Sequence, residues 1–302
     1  MAAIDLIKEN IEYEQLLGEN SADTVVRGEY LIPDTQPDVA QILMLDVKPS
    51  ITSKEVMQDK VYLEGQVEYN VLYLAKEENG MGVHTVTYTD KFSNYVDINK
   101  SEHKMMCEAD CYVEHMDCNI INERKIALSG VIKLKSAVYK DYRFEIIKDI
   151  SESSNIQMLK KPTMVDKIVG TAAGDLIAKS HMQISMDKPQ IGVILKCDVN
   201  VHKKEVKLFE GKVQVSAFAL IELLYRGKDS RELVHLKDDV FLTKEMDLDG
   251  VQPSMDAFQE FRLDAMEFNI KEDDLGEKRI IDVEALINTT VKVMNKENID
   301  MI

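Results

Sequence analysis

The sequence predicts a mainly β protein: two tandem, diverged β-rich repeat units, sandwich- or barrel-like, each with one short helix. Three observations predict it. The stretch PDTQPDVAQILMLDV, residues 33–47, returns as SMDKPQIGVILKCDV, residues 185–199. Long segments alternate apolar and polar residues with period two, the mark of strands with one buried face. The 302 residues are 45% hydrophobic and 30% charged, which suits two globular units of about 150 residues better than a disordered chain.

The repeat appears when the chain is slid over itself by 152 residues. Pro37 then falls on Pro189, Ile42 on Ile194, Leu43 on Leu195, Asp46 on Asp198 and Val47 on Val199. Average composition predicts about one chance identity in such a window. The same offset brings Ile4 to Ile156, Gly18 to Gly170, Lys60 to Lys212, Leu72 to Leu224 and Tyr73 to Tyr225. The units are assigned to residues 1–150 and 151–302, joined near SESSNIQ, 151–157.

Each element follows from its pattern. Residues 1–17 fit a helix or strands, and Pro162 in the second copy argues against a continuous helix there. Pro37 suits a first helical position, and Val39, Ile42 and Leu43 are spaced i, i+3, i+4, as are Ile191, Ile194 and Leu195. This predicts a short helix in each copy, followed by a strand. Val61, Leu63, Gly65, Val67, Tyr69, Val71 and Tyr73 alternate with polar residues, as do Val213, Val215, Ala217, Ile221, Leu223 and Tyr225. Both runs enter turn-rich segments, KEENGMG and RGKDSRE, from which the chain can return as a hairpin. Ile126, Leu128, Gly130, Ile132 and Leu134 form another strand, matched by Ile281, Val283, Ala285 and Ile287 at an offset of 155.

Charge and cysteine usage restrict the function. A net charge of −17 repels nucleic-acid backbones and anionic membranes, so neither is an expected partner. Four cysteines make no disulfide framework. The N-terminus shows no secretory signal, and no run reaches the roughly 18 apolar residues of a membrane span. A cytoplasmic protein is expected.

Local chemistry is sparse. Cys107, Cys111, His115 and Cys118 could suggest zinc, but the segment alternates like a strand. Slid over the second copy, Cys107 and Ala109 fall on Phe261 and Leu263, and Cys111 on Ala265, which are core residue types. Glu245, Asp247, Asp249, Gly250 and Asp256 resemble half of a calcium loop, whereas the other copy has VDINKSE there. Asp273, Asp274 and Gly276 read as a hairpin tip. No nucleophile elbow, HExxH, Walker or dinucleotide motif occurs. The expectation is no catalytic residue, no metal and no cofactor.

VVRGEYLIPDTQPDVAQIL, EGQVEYNVLYL and KFSNYVDI together resemble the SPOCS domain, a module repeated in proteins of anaerobic spore-forming bacteria. The first copy matches well; the second keeps Pro189, the Ile-Leu pair and Leu-Tyr. The resemblance implies a non-enzymatic spore-coat morphogenetic role in the mother cell. There the protein would bind the coat-basement ATPase SpoIVA, and possible further coat proteins, at the forespore surface. It also implies a further repeat-like region and a C-terminal LysM domain, so the chain is expected to be an N-terminal fragment. The resemblance assigns no binding residues. The strand face Tyr62, Glu64, Gln66 and Glu68 is a candidate contact. Two alternatives stay open: a carbohydrate- or surface-binding β module, which would need an exposed aromatic platform, and a carboxylate-based hydrolase, which would need a deep acidic cleft.

Overall fold

The structure, a computed structural model, describes residues 6–78, 80–150 and 159–301. In the first half lie β1 (Leu6–Leu31), β2 (Val39–Met57), β3 (Lys60–Glu77), β4 (Gly80–Asp97), β5 (Met106–Asn122) and β6 (Lys125–Ile150). In the second lie β7 (Lys161–Gln183), β8 (Ile191–Phe209), β9 (Lys212–Gly227), β10 (Leu233–Asp247), β11 (Asp256–Glu272) and β12 (Lys278–Met301). The expected junction at 151–157 lies outside the described residues. The open choice over residues 1–17 resolves to strand from Leu6 onward, and Pro162 sits near the start of β7.

Strand order repeats in the two halves. Sheets β2-β3-β4 and β1-β6-β5 belong to the first, β8-β9-β10 and β7-β12-β11 to the second, with every neighbour antiparallel. Each pair forms an open two-sheet sandwich rather than a closed barrel. Alternation explains the cores. Val61, Leu63, Val67, Tyr69 and Val71 of the central strand β3 face Ile126, Leu128, Ile132 and Leu134 of the central strand β6 across one core. Val213, Val215, Ile221 and Leu223 of β9 and Ile281, Val283, Ala285 and Ile287 of β12 build a second, separate core.

The two short helices are not there, and no other helix occurs among the described residues. Pro33 to Gln36 and Ser185 to Lys188 are single turns, closed by Gln36 N donating to Pro33 O and Lys188 N to Ser185 O. Strand begins after two further residues, at Val39 and Ile191. Helix-like spacing arose because β2 is bulged. Ala40 and Leu43 have no partner on β3, so inward positions fall at Val39, Ile42, Leu45 and Val47 instead of every second residue. In β8, Gly192 and Leu195 are skipped at equivalent places, giving Ile191, Ile194, Cys197 and Val199. A bulged strand has imitated one face of a helix.

Register also corrects the matching of the fifth strands. Cys107 pairs with Val138 and Cys111 with Leu134, while the equivalent β12 residues Val293 and Thr289 pair with Ala257 and Phe261. Cys111 therefore answers to Phe261, not Ala265, and Cys107 to Ala257, not Phe261. Both sets pack against their cores.

Candidate functional site at the seam between the two halves

The repeat signature is a cradle for the turn that leads into β2 or β8. The Tyr73 hydroxyl, fully buried, donates to Pro37 O at 3.1 Å; Tyr225 donates to Pro189 O at 2.8 Å. Burial pushes both phenols up to about 12, so they stay protonated donors. Arg124 completes the first cradle by donating to Ile32 O and Gln36 O, each at 2.8 Å, and by pairing with Asp34 and Asp38. Arg279, at the equivalent place, donates to Ser185 O at 3.1 Å and Lys188 O at 2.7 Å. These arginines escaped the sequence reading. The 155-residue offset of β6 and β12, continued two residues upstream of Ile126, would have found them.

Gly18 and Gly170 sit beside equivalent bulges in β1 and β7, where Leu17 and Val169 are unpaired. A Cβ on Gly18 would lie 3.1 Å from Ile98, and one on Gly170 2.8 Å from Leu248. The glycines make room for the residue that leaves β4 or β10.

Asp46 and Asp198 meet across the chain. Lys48 lies 2.5 Å from Asp198 and 3.7 Å from Asp46, and Lys196 lies 3.2 Å from Asp46 and 2.8 Å from Asp198. Burial works against ionising Asp198, but the Lys196 and Lys48 ammonium groups hold its carboxyl below the ordinary value. Nearby, Leu72 and the bulge residue Leu195 are buried yet belong to neither core. Leu43, the counterpart of Leu195, remains 46% exposed.

A second ionic group closes the seam. Glu77 Oε1 lies 2.8 Å from both His84 Nε2 and Arg226 Nη1, and Oε2 lies 3.5 Å from Arg231. Arg226 Nη1 is also 3.0 Å from His84 Nε2. The bond from His84 and then the Arg226 charge hold Glu77 below the ordinary carboxylate range against burial. Burial, reinforced by Arg226, lowers the His84 pKa despite Glu77. A third contact joins Lys292 of β12 to Glu14 of β1, with the ammonium 5.6 Å from the Tyr139 ring.

The other candidates are dispersed. Cys107, Cys111 and Cys118 pack on the first core, while His115 is exposed and bonded to Asp117 at 2.9 Å. Burial pushes the Cys111, Cys118 and Cys197 thiols up to about 11. Among the described residues, no three His, Cys, Asp or Glu side chains converge as a metal cage. Glu245 and Asp247 end β10, and Asp256 opens β11 with Lys296 at 2.8 Å. Between them Gly250 adopts φ 82°, as Lys100 adopts φ 67° in the first half. Asp273 Oδ1 accepts from Leu275 N and Glu277 N, and Gly276 adopts φ 76°, forming the β11–β12 hairpin tip; Asp274 lies in the same tip. On the outer face of β3, Glu64, Gln66 and Glu68 are exposed, and the Tyr62 ring packs at a 41° tilt against Tyr95, centroids 4.9 Å apart.

The fold and its seam define a tandem β-sandwich repeat protein in which equivalent residues of the two repeats meet. The family described as SipL, SPOCS domain, matches residues 38–121 and 190–271, and the chain belongs to it. The match runs from β2 into β5 and from β8 into β11. The family sets the chain in a sporulation context. No curated protein and no solved structure matches.

Proposed function

We propose that this chain is a non-enzymatic adaptor of the spore coat, similar to the morphogenetic protein SipL. It binds the coat-basement ATPase SpoIVA in the mother-cell cytoplasm and localises coat material, with other coat proteins as further partners, around the forespore. Family membership carries this reading. The seam supports it physically: two sandwiches joined by paired aspartates and lysines present their outer faces as one block, suited to holding partners in fixed relation. The net charge of −17 favours a partner surface of basic or mixed charge, whose rim contacts weaken with salt.

Co-expression of this chain with the ATPase, followed by pull-down at low and high salt, tests the reading. Retention that is stronger at low salt supports it; no retention at either salt counts against it. The carbohydrate-binding alternative finds its nearest platform in Tyr62 and Tyr95, but Lys60 lies over the Tyr95 ring at 4.2 Å and occupies one stacking surface.

A further inference from the structure

The outermost strand of a sheet leaves alternate main-chain N–H and C=O groups without ladder partners, and such an edge must be covered or paired. The sheets built on β6 and β12 end on four such strands: β1 and β5 in the first half, β7 and β11 in the second. On three of them a side chain from the facing sheet caps the edge. Asn94 donates to Asp23 O on β1 at 3.0 Å, and Lys244, at the equivalent place, donates to Asp175 O on β7 at 2.9 Å. Lys54 donates to Cys107 O on β5 at 2.6 Å.

The fourth edge, β11, has lost its cap. Val206 stands where the first half has Lys54, and Ala257 where it has Cys107. Lys204 of β8 is directed instead at the Phe261 ring, 5.7 Å from its centroid. Register shows which main-chain groups this leaves open. Glu108 O faces β6, where it accepts from Ser136 Oγ at 3.2 Å, whereas Cys107 O faces away from it. The counterparts of Cys107, Ala109 and Cys111 are Ala257, Gln259 and Phe261, so the main-chain groups of these three point off the sheet. Among the described residues, no side chain and no other strand bonds to them.

The open edge is apolar and its unpaired charge is negative. Phe258 is 63% exposed. Phe261 and Leu263 line a groove of about 540 Å³ alongside, with Ile51 of β2 and Cys111 of β5 on its other wall. Arg262 is paired with Asp264 at 2.8 Å and Lys271 with Asp282 at 2.5 Å, while Glu260 and Glu267 have no ion pair among the described residues.

We propose that the β11 edge is a strand-addition site for an extended basic segment of another protein. The segment's main chain pairs with Ala257, Gln259 and Phe261, an apolar side chain covers Phe258, and lysine or arginine answers Glu260 and Glu267. A second copy of β11 is the poorer occupant, since it would bring the same unpaired carboxylates to the contact. This goes beyond the coat-adaptor reading and holds whether or not the chain binds the ATPase.

The test titrates the whole chain into a fluorescent peptide of alternating lysine and valine, followed by fluorescence anisotropy. Two control peptides carry glutamate for lysine, or N-methyl groups on the amides of one edge. The chain variants are Gln259→Pro, which removes an edge N–H without touching the β12 ladder, Glu260→Lys, and Glu210→Lys, an exposed control with the same charge change at the β8–β9 turn. The unsubstituted chain should bind the lysine peptide with a Kd below about 1 mM. Either control peptide, Gln259→Pro or Glu260→Lys should weaken binding by about tenfold or more, and Glu210→Lys should not. If Gln259→Pro lowers the melting temperature, the N-methylated peptide and Glu260→Lys carry the test. No binding by the unsubstituted chain overturns the proposal, as does equal binding of the N-methylated peptide, which would reduce the contact to charge alone. A dimer seen by light scattering that Gln259→Pro dissociates would give the edge to a second copy and overturn the proposed occupant.

Discussion

Carbonyl oxygens in a turn that leaves a sheet need donors, and both sandwiches supply them with a buried phenol and an arginine rather than with backbone alone. Tyr225→Phe strips one donor from Pro189 O and should cost about 1–3 kcal/mol in chemical denaturation, because a buried acceptor is left unmade. Arg279→Met should cost more, since it strips Ser185 O and Lys188 O and leaves Glu277 without its cation. No loss in Arg279→Met would show that the guanidinium adds nothing beyond its carbon stem. Cys111→Ala should stay within about 1–2 kcal/mol, because the thiol is half-buried and its true counterpart is Phe261, so the site tolerates side chains of different size. The tyrosines, prolines and aspartates of the cradle and seam were legible in the sequence because they share one offset. The arginines were not, since loop lengths change the offset to 155 before they are reached. No repeat comparison could show that Asp46 and Asp198 touch, because contact between equivalent residues depends on how the copies dock.

At the scale of the strand, period-two alternation located the central strands and their inward faces, because each buries one face along its length. It failed at β2 and β8, where paired bulges stretch the inward spacing to three. The core itself shows how the copies diverged. Gly65 of β3 pairs with Phe92 of β4, and a Cβ on Gly65 would fall 2.2 Å from the Phe92 ring and 2.5 Å from Ser50 O. The matching pair in the second half is Ala217 with Leu242. Volume has moved from one strand to its neighbour. Gly65→Ala should therefore destabilise by about 1–3 kcal/mol through overpacking. Adding Phe92→Leu should recover part of that loss, giving a coupling of about 0.5–3 kcal/mol in a double-mutant cycle. Strict additivity would mean that the two sites do not share space.

In the whole molecule, two apolar cores are joined by a seam held largely by charge, so pH acts on the seam first. His84 has its pKa lowered by burial and Arg226, with Glu77 opposing, and the facing Tyr73 phenol is raised to about 12 and stays neutral. The folded state thus binds the imidazole proton less well than the unfolded chain does. The stability tied to His84 is complete above its ordinary pKa of 6.5 and is lost as pH falls below that value toward the lowered folded one. Glu77 acts in the same direction at lower pH, since its folded pKa lies below 4.5: its contribution is present above that value and disappears as the carboxylate protonates. Among the described residues, neither core has a comparable titrating group, because the central strands bury Val, Ile, Leu, Ala and phenols that stay neutral through this range. Acidification below 6.5 should therefore uncouple the halves before it melts either sandwich. Scanning calorimetry should resolve one transition near neutrality into two as the seam lets go. His84→Gln, which keeps a donor for Glu77 but cannot titrate, should hold the single transition down to the range where Glu77 itself protonates. A wild-type protein that keeps one unsplit transition through the imidazole range would show that other contacts outweigh the Glu77–His84–Arg226 group in joining the halves.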